Sequence, residues 1–221
     1  MDNELVLAVP ADSVNQLRTY NSETFIPDGT GLLGSTILKA GGHRWLFRKD
    51  ADMMPEFKQV IPYCVVHYRD AILSYQRGST GGEERLHELR SIGFGGHIDP
   101  VDTDYDMVAF TRNEMFHAVR RELHEELIYD EDISIQLTPR VDVRTWYRFR
   151  GIINDNSNDV GRVHVGFVFD VDLCTSLVDA NEDCISRLMF QSIDSLEATK
   201  QHYETWSQAC IENLRDIVHL P

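Results

Sequence analysis

The spacing of apolar and polar residues along this chain predicts both strands and helices. Residues 60–67 and 71–77 are two apolar, β-rich runs separated by Tyr68-Arg69-Asp70, and they predict a β-hairpin. Apolar and polar residues alternate over residues 163–173, which predicts a further strand. Residues 111–129 carry apolar side chains at helical spacing, which predicts the best-defined helix. Strands before, between and after helices are typical of a mixed α/β sandwich.

The other elements are predicted from shorter patterns. Short strands are expected at residues 5–9, 91–95, 133–143, 145–150 and 188–191, and a short helix at residues 11–17. Trp206, Cys210, Leu214 and Val218 recur every four residues, so an amphipathic helix is expected at the C-terminus. Stretches of glycine and small polar residues predict irregular structure at residues 21–44, 78–84 and 151–161.

A domain boundary is expected after residue 55, because residues 50–55 have the character of a connection. The chain is thereby divided into a small N-terminal extension, residues 1–55, and a main domain, residues 56–221. The extension is partly apolar, and we hypothesise that it supplies a homodimer contact. A chain truncated at residue 55 that remained dimeric by light scattering would contradict this hypothesis.

The charge composition limits the classes of partner. The 221 residues include 36 Asp and Glu against 21 Lys and Arg, which gives a formal net charge of −15 at pH 7. A general nucleic-acid binder needs a basic face, and an anionic membrane repels such a chain, so neither partner is expected. A small phosphorylated molecule remains compatible with this charge, because a bound divalent cation can reverse the local field.

The cysteines and the N-terminus bear on the compartment. Cys64, Cys174, Cys184 and Cys210 have neither CxxC spacing nor the spacing of a zinc site. They are expected to be reduced thiols, which favours a cytoplasmic location. No basic segment followed by an apolar run stands at the N-terminus, and no run of about 18 apolar residues occurs, so neither a signal peptide nor a membrane span is predicted.

Three glutamates on the longest predicted helix are the main candidate for chemistry. Glu122, Glu125 and Glu126 stand at positions i, i+3 and i+4, which share one face of an α-helix. Like charges at this spacing repel each other, and a hard divalent cation such as Mg²⁺ would turn that repulsion into coordination. A solvated acidic face is the alternative explanation of the same pattern.

Other segments supply candidates for binding and proton transfer. Gly95 and Gly96 precede the helix, and backbone without a Cβ can approach a metal ion or a phosphate closely. Arg77 and Arg85 flank a glycine-rich loop and are candidates for binding substrate phosphate. Glu182 follows a predicted strand and is, with Glu125, a candidate general base. Ordinary turn, surface or solubility roles are the alternatives for each.

These residues resemble the signature of the Nudix hydrolases, G-x5-E-x7-R-E-U-x-E-E-x-G-U, in which U is aliphatic. The segment from Arg121 to Glu126 matches the REUxEE core, and Gly96 matches the opening glycine. The resemblance implies a Nudix-type α/β/α sandwich with a mixed sheet. It implies that Glu122, Glu125 and Glu126 bind Mg²⁺ or Mn²⁺, with Gly96 beside them. It also implies a pyrophosphohydrolase, in which water attacks a diphosphate linked to another group.

The chain departs from the signature before and after this core. The stretch between Gly96 and Arg121 carries an insertion of 11 residues. Counting forward from Gly96 places Asp102 at the first Glu of the signature, whereas counting back from Arg121 places Asn113 there, with Glu114 one residue away. That Glu supports the arginine in the family. Ile128 replaces the glycine that ends the helix, so this helix is expected to end without a left-handed glycine cap.

The resemblance extends to residues 58–63, 91–98 and 160–166, which are similar to a bacterial Nudix subgroup with an N-terminal extension, and it covers roughly residues 56–215. Two other functions share the fold. One is a catalytically silent module that binds a nucleotide-like ligand as a sensor. The other is an isoprenoid-diphosphate isomerase, for which no counterpart of the catalytic cysteine motif is found. Candidate substrates are nucleoside triphosphates, nucleotide sugars, dinucleoside polyphosphates and ADP-ribose.

Overall fold

The structure is a computed structural model, which describes residues 4–19, 24–28, 30–40, 42–78, 89–103, 112–129 and 147–218. The chain forms two compact units, each built from three separate segments. The first unit draws on residues 1–63, 95–121 and 149–168, and the second on residues 64–94, 122–148 and 169–221.

The described residues form strands in both units. The strands are β1 (Leu5–Pro10), β2 (Phe25–Pro27), β3 (Arg44–Phe47), β4 (Phe57–Tyr68), β5 (Ala71–Arg77), β6 (Arg90–Ser91), β7 (Gly93–Phe94), β8 (Leu127–Tyr129), β9 (Tyr147–Ile153), β10 (His164–Asp172), β11 (Val178–Ala180) and β12 (Ile185–Ser192). Strands β4 and β10 contribute residues to both units, because the division falls within them.

Helices alternate with these strands, as expected for an α/β protein. The α-helices are α1 (Ala11–Asn15), α2 (Leu32–Ala40), α3 (Arg48–Ala51), α4 (Arg112–Glu126), α5 (Asp159–Val163), α6 (Ile193–Ala198), α7 (Thr205–Glu212) and α8 (Leu214–Ile217). Short 3₁₀ helices lie at Gln16–Thr19, Pro100–Asp102 and Lys200–His202. None of the helices in the described ranges is both long and apolar enough to cross a membrane.

In the first unit, strand β1 is an interior strand. It pairs antiparallel with β3, with Leu5 opposite Phe47, and with the start of β4, with Ala8 opposite Gln59. Strands flank it on both edges, and Val6 to Val9 are inaccessible to solvent, as expected for a strand that is covered on both faces. Strand β2 pairs antiparallel with β9. The first 55 residues are therefore joined to later strands by backbone hydrogen bonds within this unit.

In the second unit, strand β5 lies between β12 and the end of β4. The hairpin between β4 and β5 places His67 opposite Ile72, and its turn residue Arg69 has a φ of 54°. Strand β12 pairs antiparallel with β5 along its length, with an irregularity between Ser186 and Met189. Strands β8 and β11 form a separate two-stranded sheet.

The main strands and the long helix agree with the predictions from the sequence. The structure has the predicted hairpin, the strand at residues 164–172, and short strands near residues 5–9, 91–95 and 188–191. Mixed sheet with helices is the predicted fold class. All four cysteines are free, and Cys64 and Cys210 are buried. Outside the described residues lie the predicted strand at residues 133–143, Thr111, most of the predicted loop at residues 78–84, and Arg85.

Two regions predicted to be irregular contain regular structure. Within residues 21–44, helix α2 begins where the buried carboxylate of Asp28 accepts hydrogen bonds from the backbone N–H groups of Leu33 (2.6 Å) and Gly34 (3.3 Å). Within residues 151–161, strand β9 continues to Ile153, and Asn158 caps α5 by accepting from Gly161 N. The prediction failed because these elements depend on side-chain caps and distant strand partners.

The predicted helices at residues 111–129 and at the C-terminus were too long. Helix α4 ends at Glu126, and the next three residues form β8, because they pair with β11. The C-terminal pattern divides into α7 and α8 at Asn213, whose φ of −120° is not helical. Helix α6 was not predicted, and α3 begins before the expected connection at residues 50–55.

Candidate functional site

The last turn of α4 carries the three predicted metal ligands. Glu122 is 7% exposed, Glu126 is half-buried, and Glu125 is exposed. Burial and the charges of Glu126 and Glu122 raise the pKa of the Cys64 thiol, which lies in β4, well above its usual value. The carboxylates of Glu122 and Glu126, at positions i and i+4, therefore both raise the pKa of Cys64, as expected for residues on one face of a helix.

The end of α4 is fixed by a side chain that the sequence did not single out. The backbone N–H of Asn181 donates to the Glu126 carbonyl at 2.9 Å, and its Nδ2 donates to the His124 carbonyl at 3.0 Å. Both carbonyls belong to the last turn, which lacks partners within a helix. Ile128 stands in strand β8, opposite Asp179, and its φ is not positive. The helix thus ends without a left-handed cap, as predicted from Ile128.

Arg77 lies in the same electrostatic environment as Glu126. It ends strand β5, and its guanidinium lies 5.9 Å from the ring centre of Tyr75. Burial raises the pKa of Tyr75; the charge of Arg77 opposes this rise, and the charges of Glu126 and Glu204 add to it. The side chain of Arg77 is 34% exposed, so solvent reaches part of it. Arg77, which is predicted to bind phosphate, and Glu126, which is predicted to bind metal, therefore both influence the pKa of Tyr75.

Glu182 also lies near Glu126. It is exposed and follows β11, and the Cys184 thiol donates to its Oε2 at 3.0 Å. Partial burial, this hydrogen bond and the charges of Glu182 and Glu126 raise the pKa of Cys184 to about 12, while Arg77 acts in the opposite direction. Glu126, Arg77 and Glu182 therefore all influence the Cys184 thiol in the second unit.

In the first unit, Asp102 makes the contacts expected of the first Glu of the signature. Its Oδ1 accepts from Arg121 Nε and its Oδ2 from Arg121 Nη2, both at 2.9 Å. The backbone N–H of Asp99 donates to Oδ2 at the same distance, which holds the carboxylate at the end of the 3₁₀ helix. Arg121 also donates to the His97 carbonyl at 2.8 Å. Counting forward from Gly96 therefore finds the partner of the arginine.

Close packing against Pro62 explains why a glycine stands at position 95. Its φ is 139°, and a Cβ at this position would lie 2.0 Å from the Pro62 carbonyl oxygen, so no other residue fits. Gly96 follows it and is half-buried. The predicted contacts of Gly95 with substrate and of Gly96 with metal stay predictions.

A polar cluster in the first unit was missed by the sequence analysis. The buried Nζ of Lys58 donates to Asn156 Oδ1 at 2.9 Å and to the His164 carbonyl at 3.1 Å. The ring of His164 lies beside that of His97, with 3.3 Å between the two Nε2 atoms. Burial, Arg48, His164 and Arg121 lower the pKa of His97 to about 3, so it is neutral at pH 7. Lys58, His97 and His164 belong to the three segments that resemble the bacterial Nudix subgroup, and hydrogen bonds connect these segments.

The donor set on α4 suits a hard cation. Carboxylate oxygens are the ligands that Mg²⁺ and Mn²⁺ favour, and the burial of Glu122 places one of them away from bulk water. Within the described ranges, no group of three His, Cys, Asp or Glu side chains is already gathered tightly enough to hold a metal ion. The chemistry of the three glutamates therefore fits the predicted ion, and side-chain adjustment would accompany its binding.

Comparisons with known proteins identify the fold. The solved structure of Tm1382, a protein proposed to be a Nudix hydrolase, matches with a TM-score of 0.72 over 96% of this chain and 98% of that one, at 24% sequence identity. The chain has the Nudix fold. Protein YmaB of Bacillus subtilis (strain 168) is 29% identical over 216 residues, which cover 96% of this chain and 98% of YmaB. No protein-family model matches the chain.

The match to Tm1382 covers the N-terminal residues as well as the core that carries the signature. Since only 4% of this chain is uncovered, the likeness includes most of residues 1–55, which the resemblance from sequence placed outside the Nudix core. The boundary after residue 55 stays a prediction.

Proposed function

We propose that this chain is a Nudix hydrolase that cleaves a diphosphate linkage in a nucleoside-diphosphate-type or related small phosphorylated molecule, using Mg²⁺ or Mn²⁺. The observation that carries the proposal is the set of Glu122, Glu125 and Glu126 on the last turn of α4 in a chain with the Nudix fold. The neighbouring Arg77 supports it, because it adds a cation for phosphate beside carboxylates suited to metal.

The three glutamates would hold the divalent cation, with Gly96 as a further predicted ligand. When bound, the cation would neutralise charge on the phosphates and make bound water more acidic. Glu122 is buried, so its position is set by packing around it, whereas Glu125 is exposed and accessible to solvent. Glu122 and Glu126 are therefore proposed to bind metal, and Glu125 to bind metal and receive a proton as well.

Glu182 is the second candidate for the base. It is exposed, and its carboxylate accepts a hydrogen bond from the Cys184 thiol, which restricts the rotation of its side chain. A base must come within hydrogen-bond reach of the attacking water, directly or through one further water. Arg77 is proposed to bind phosphate oxygens through its guanidinium, and Arg85 and Gly95 stay sequence-based candidates for the same substrate.

Three further expectations belong to this proposal. The cysteines and composition favour a cytoplasmic enzyme, the N-terminal residues are expected to supply a homodimer contact, and a phosphorylated small molecule rather than nucleic acid is the expected partner. Tm1382 carries the same family assignment in its name, which is consistent with the proposal.

The deciding experiment measures phosphate and pyrophosphate release from a panel of nucleoside triphosphates, nucleotide sugars, dinucleoside polyphosphates and ADP-ribose, with and without Mg²⁺. We expect metal-dependent turnover of at least one compound, and its loss in Glu126→Gln. Glu197→Gln, which changes an exposed glutamate on α6, is the matched control and should keep full activity. No turnover together with tight binding of one compound would favour the silent sensor.

A further inference from the structure

Arg77 is fixed by a buried carboxylate from a distant part of the chain. Glu204 lies just before α7 and is 7% exposed. Its Oε2 lies 3.5 Å from Arg77 Nη2, across 127 positions of sequence. An arginine at the end of a strand has several freely rotating bonds, and a carboxylate partner restricts them.

The carboxylate of Glu204 is itself held on its other oxygen. Ser91 Oγ donates to Oε1 at 2.7 Å, and Ser207 Oγ donates to the same atom at 3.2 Å. The backbone N–H of Glu204 donates to the Arg90 carbonyl at 3.0 Å, so the main chain is fixed too. A buried charge needs such partners, because an isolated carboxylate in the interior is strongly unfavourable.

The two oxygens of Glu204 therefore divide their contacts. Oε1 accepts from the hydroxyls of Ser91 and Ser207, and Oε2 contacts the guanidinium of Arg77, whose side chain is 34% exposed. Arg77 also lies over the ring of Tyr75, which supports the guanidinium from a second direction. A guanidinium carries five N–H donors in a planar fork, so one arginine can contact a carboxylate and a phosphate at the same time.

We propose that Glu204 is a positioning residue, which holds Arg77 in the orientation that binds the diphosphate of the substrate. The role rests on the proposed function, in which Arg77 contacts phosphate. Glu204 is buried and held by serines, so it acts through Arg77 and not on the substrate itself. Fixing the guanidinium before binding lowers the entropy lost when the diphosphate binds.

Neutralisation is the competing explanation. A carboxylate beside Arg77 also reduces the positive potential that an anion meets, and removing it would then strengthen anion binding. Positioning and neutralisation therefore predict opposite changes in affinity for the same substitution. The conflict can be resolved with inorganic pyrophosphate as the probe, because it contains the diphosphate and little else.

The test is a calorimetric titration of the full-length protein with pyrophosphate in the presence of Mg²⁺. We expect Arg77→Ala to weaken binding roughly 10- to 100-fold, which is the effect of losing one charge-assisted contact. Glu204→Gln keeps the hydrogen-bonding shape towards Ser91 and Ser207, and should weaken binding about 5- to 10-fold. In the Arg77→Ala background, Glu204→Gln should have no further effect, because Glu204 acts only through Arg77.

Asp170→Asn is the matched control, since it also removes a buried carboxylate of the second unit that contacts an arginine. It should lower the melting temperature and leave pyrophosphate affinity unchanged. If Glu204→Gln does not fold, Glu204→Asp keeps the charge but draws it away from Arg77, and weaker binding is again expected. Once the panel gives a substrate, Glu204→Gln should raise KM more than it lowers kcat.

Tighter or unchanged binding in Glu204→Gln, an added loss in the Arg77→Ala background, or no pyrophosphate binding by the wild-type protein would overturn the proposal. These outcomes are separate from the fate of the hydrolase proposal. A protein that binds pyrophosphate through Arg77 but turns over no compound would contradict the hydrolase alone. Turnover with an unaffected Glu204→Gln variant would contradict the positioning role alone.

Discussion

The acidic residues of this chain occupy two contrasting kinds of surroundings. Asp102 and Asp170 are buried beside cationic side chains: Asp102 binds both edge nitrogens of Arg121, and Asp170 lies 2.9 Å from His67 Nε2. Glu122, Glu125 and Glu126 instead share a single helical turn with one another. The first arrangement brings opposite charges together, and the second brings like charges together.

The difference teaches which acidic residues serve the fold and which serve a ligand. Removing one partner of a buried ion pair leaves an uncompensated charge and costs about 3–5 kcal/mol. Like charges at helical spacing repel by a few tenths of a kcal/mol per pair, so relieving them should not harm the fold. A cation relieves the mutual repulsion within such a cluster, so the cluster is a better candidate for binding one than a pair of opposite charges.

Substitutions in the cluster of three glutamates on α4 test this contrast most directly. We expect Glu126→Gln to lower turnover by about 100- to 1,000-fold, the usual loss for one charge-stabilising group in an active site, and Glu125→Gln to lower it by orders of magnitude as well. The melting temperature in EDTA should hold or rise, because repulsion is relieved. A marked loss of stability without metal would instead assign these glutamates to a structural ion-pair network.

A substitution at Asp102 tests the buried ion pairs. We expect Asp102→Asn to lower the free energy of unfolding by about 3 kcal/mol in urea denaturation, because Arg121 would lose its charged partner. The control is Asp194→Asn, which breaks the exposed pair with Arg215 and should change stability by less than about 1 kcal/mol. Equal effects of the two substitutions would mean that burial does not distinguish these pairs.

Metal binding should convert the cluster from repulsive to stabilising. At about 100 times its dissociation constant, Mg²⁺ should raise the free energy of unfolding of the wild-type protein by roughly 2.7 kcal/mol. Glu126→Gln should lose most of this gain, and Asp194→Asn should keep it. Melting curves at several Mg²⁺ concentrations measure both. A metal-independent melting temperature in the wild-type protein would count against a cation on α4.

The smallest expected effect concerns the pH dependence of the His67–Asp170 pair. Burial lowers the pKa of His67, but the hydrogen bond and charge of Asp170, the Arg69 carbonyl and Asp172 raise it above its ordinary 6.5 overall. The folded pKa is thus the higher one, so the contribution is fully present below pH 6.5 and is lost as pH rises through the folded pKa.

We expect the wild-type protein to lose about 1 kcal/mol of stability across that rise, the usual value of one such contact. His67→Gln should flatten the slope, as measured by urea denaturation between pH 6.5 and alkaline pH. His97 has a pKa lowered to about 3 and so remains neutral over this range. An unchanged slope in the variant would show that groups other than His67 cause the pH dependence of stability.

Local patterns account for much of what could be predicted. The hairpin, strand β10 and α4 follow from runs and periods within about ten residues, and the three glutamates were found from their spacing on one helix. Asp102 was found by counting from Gly96, because the spacing on that side of the insertion matches the signature. Such features are readable because neighbours in sequence determine them.

The missed features depend on partners far apart in sequence. The end of α4 needs Asn181, and the orientation of Arg77 needs Glu204. No periodicity marks a residue whose importance lies in what it contacts more than 50 positions away. The contacts of Lys58 were missed for the same reason, since its partners lie near residues 156–164.

The Arg121–Asp102 pair also bears on how this chain tolerates change in length. The pair closes the segment between residues 102 and 121, which holds the 11 additional residues, and it fixes both ends of that segment. The entropy of closing a loop rises only slowly with its length. Adding residues between Asp102 and Arg121 therefore costs little closure entropy, and the two anchors keep their contact across the 11 additional residues.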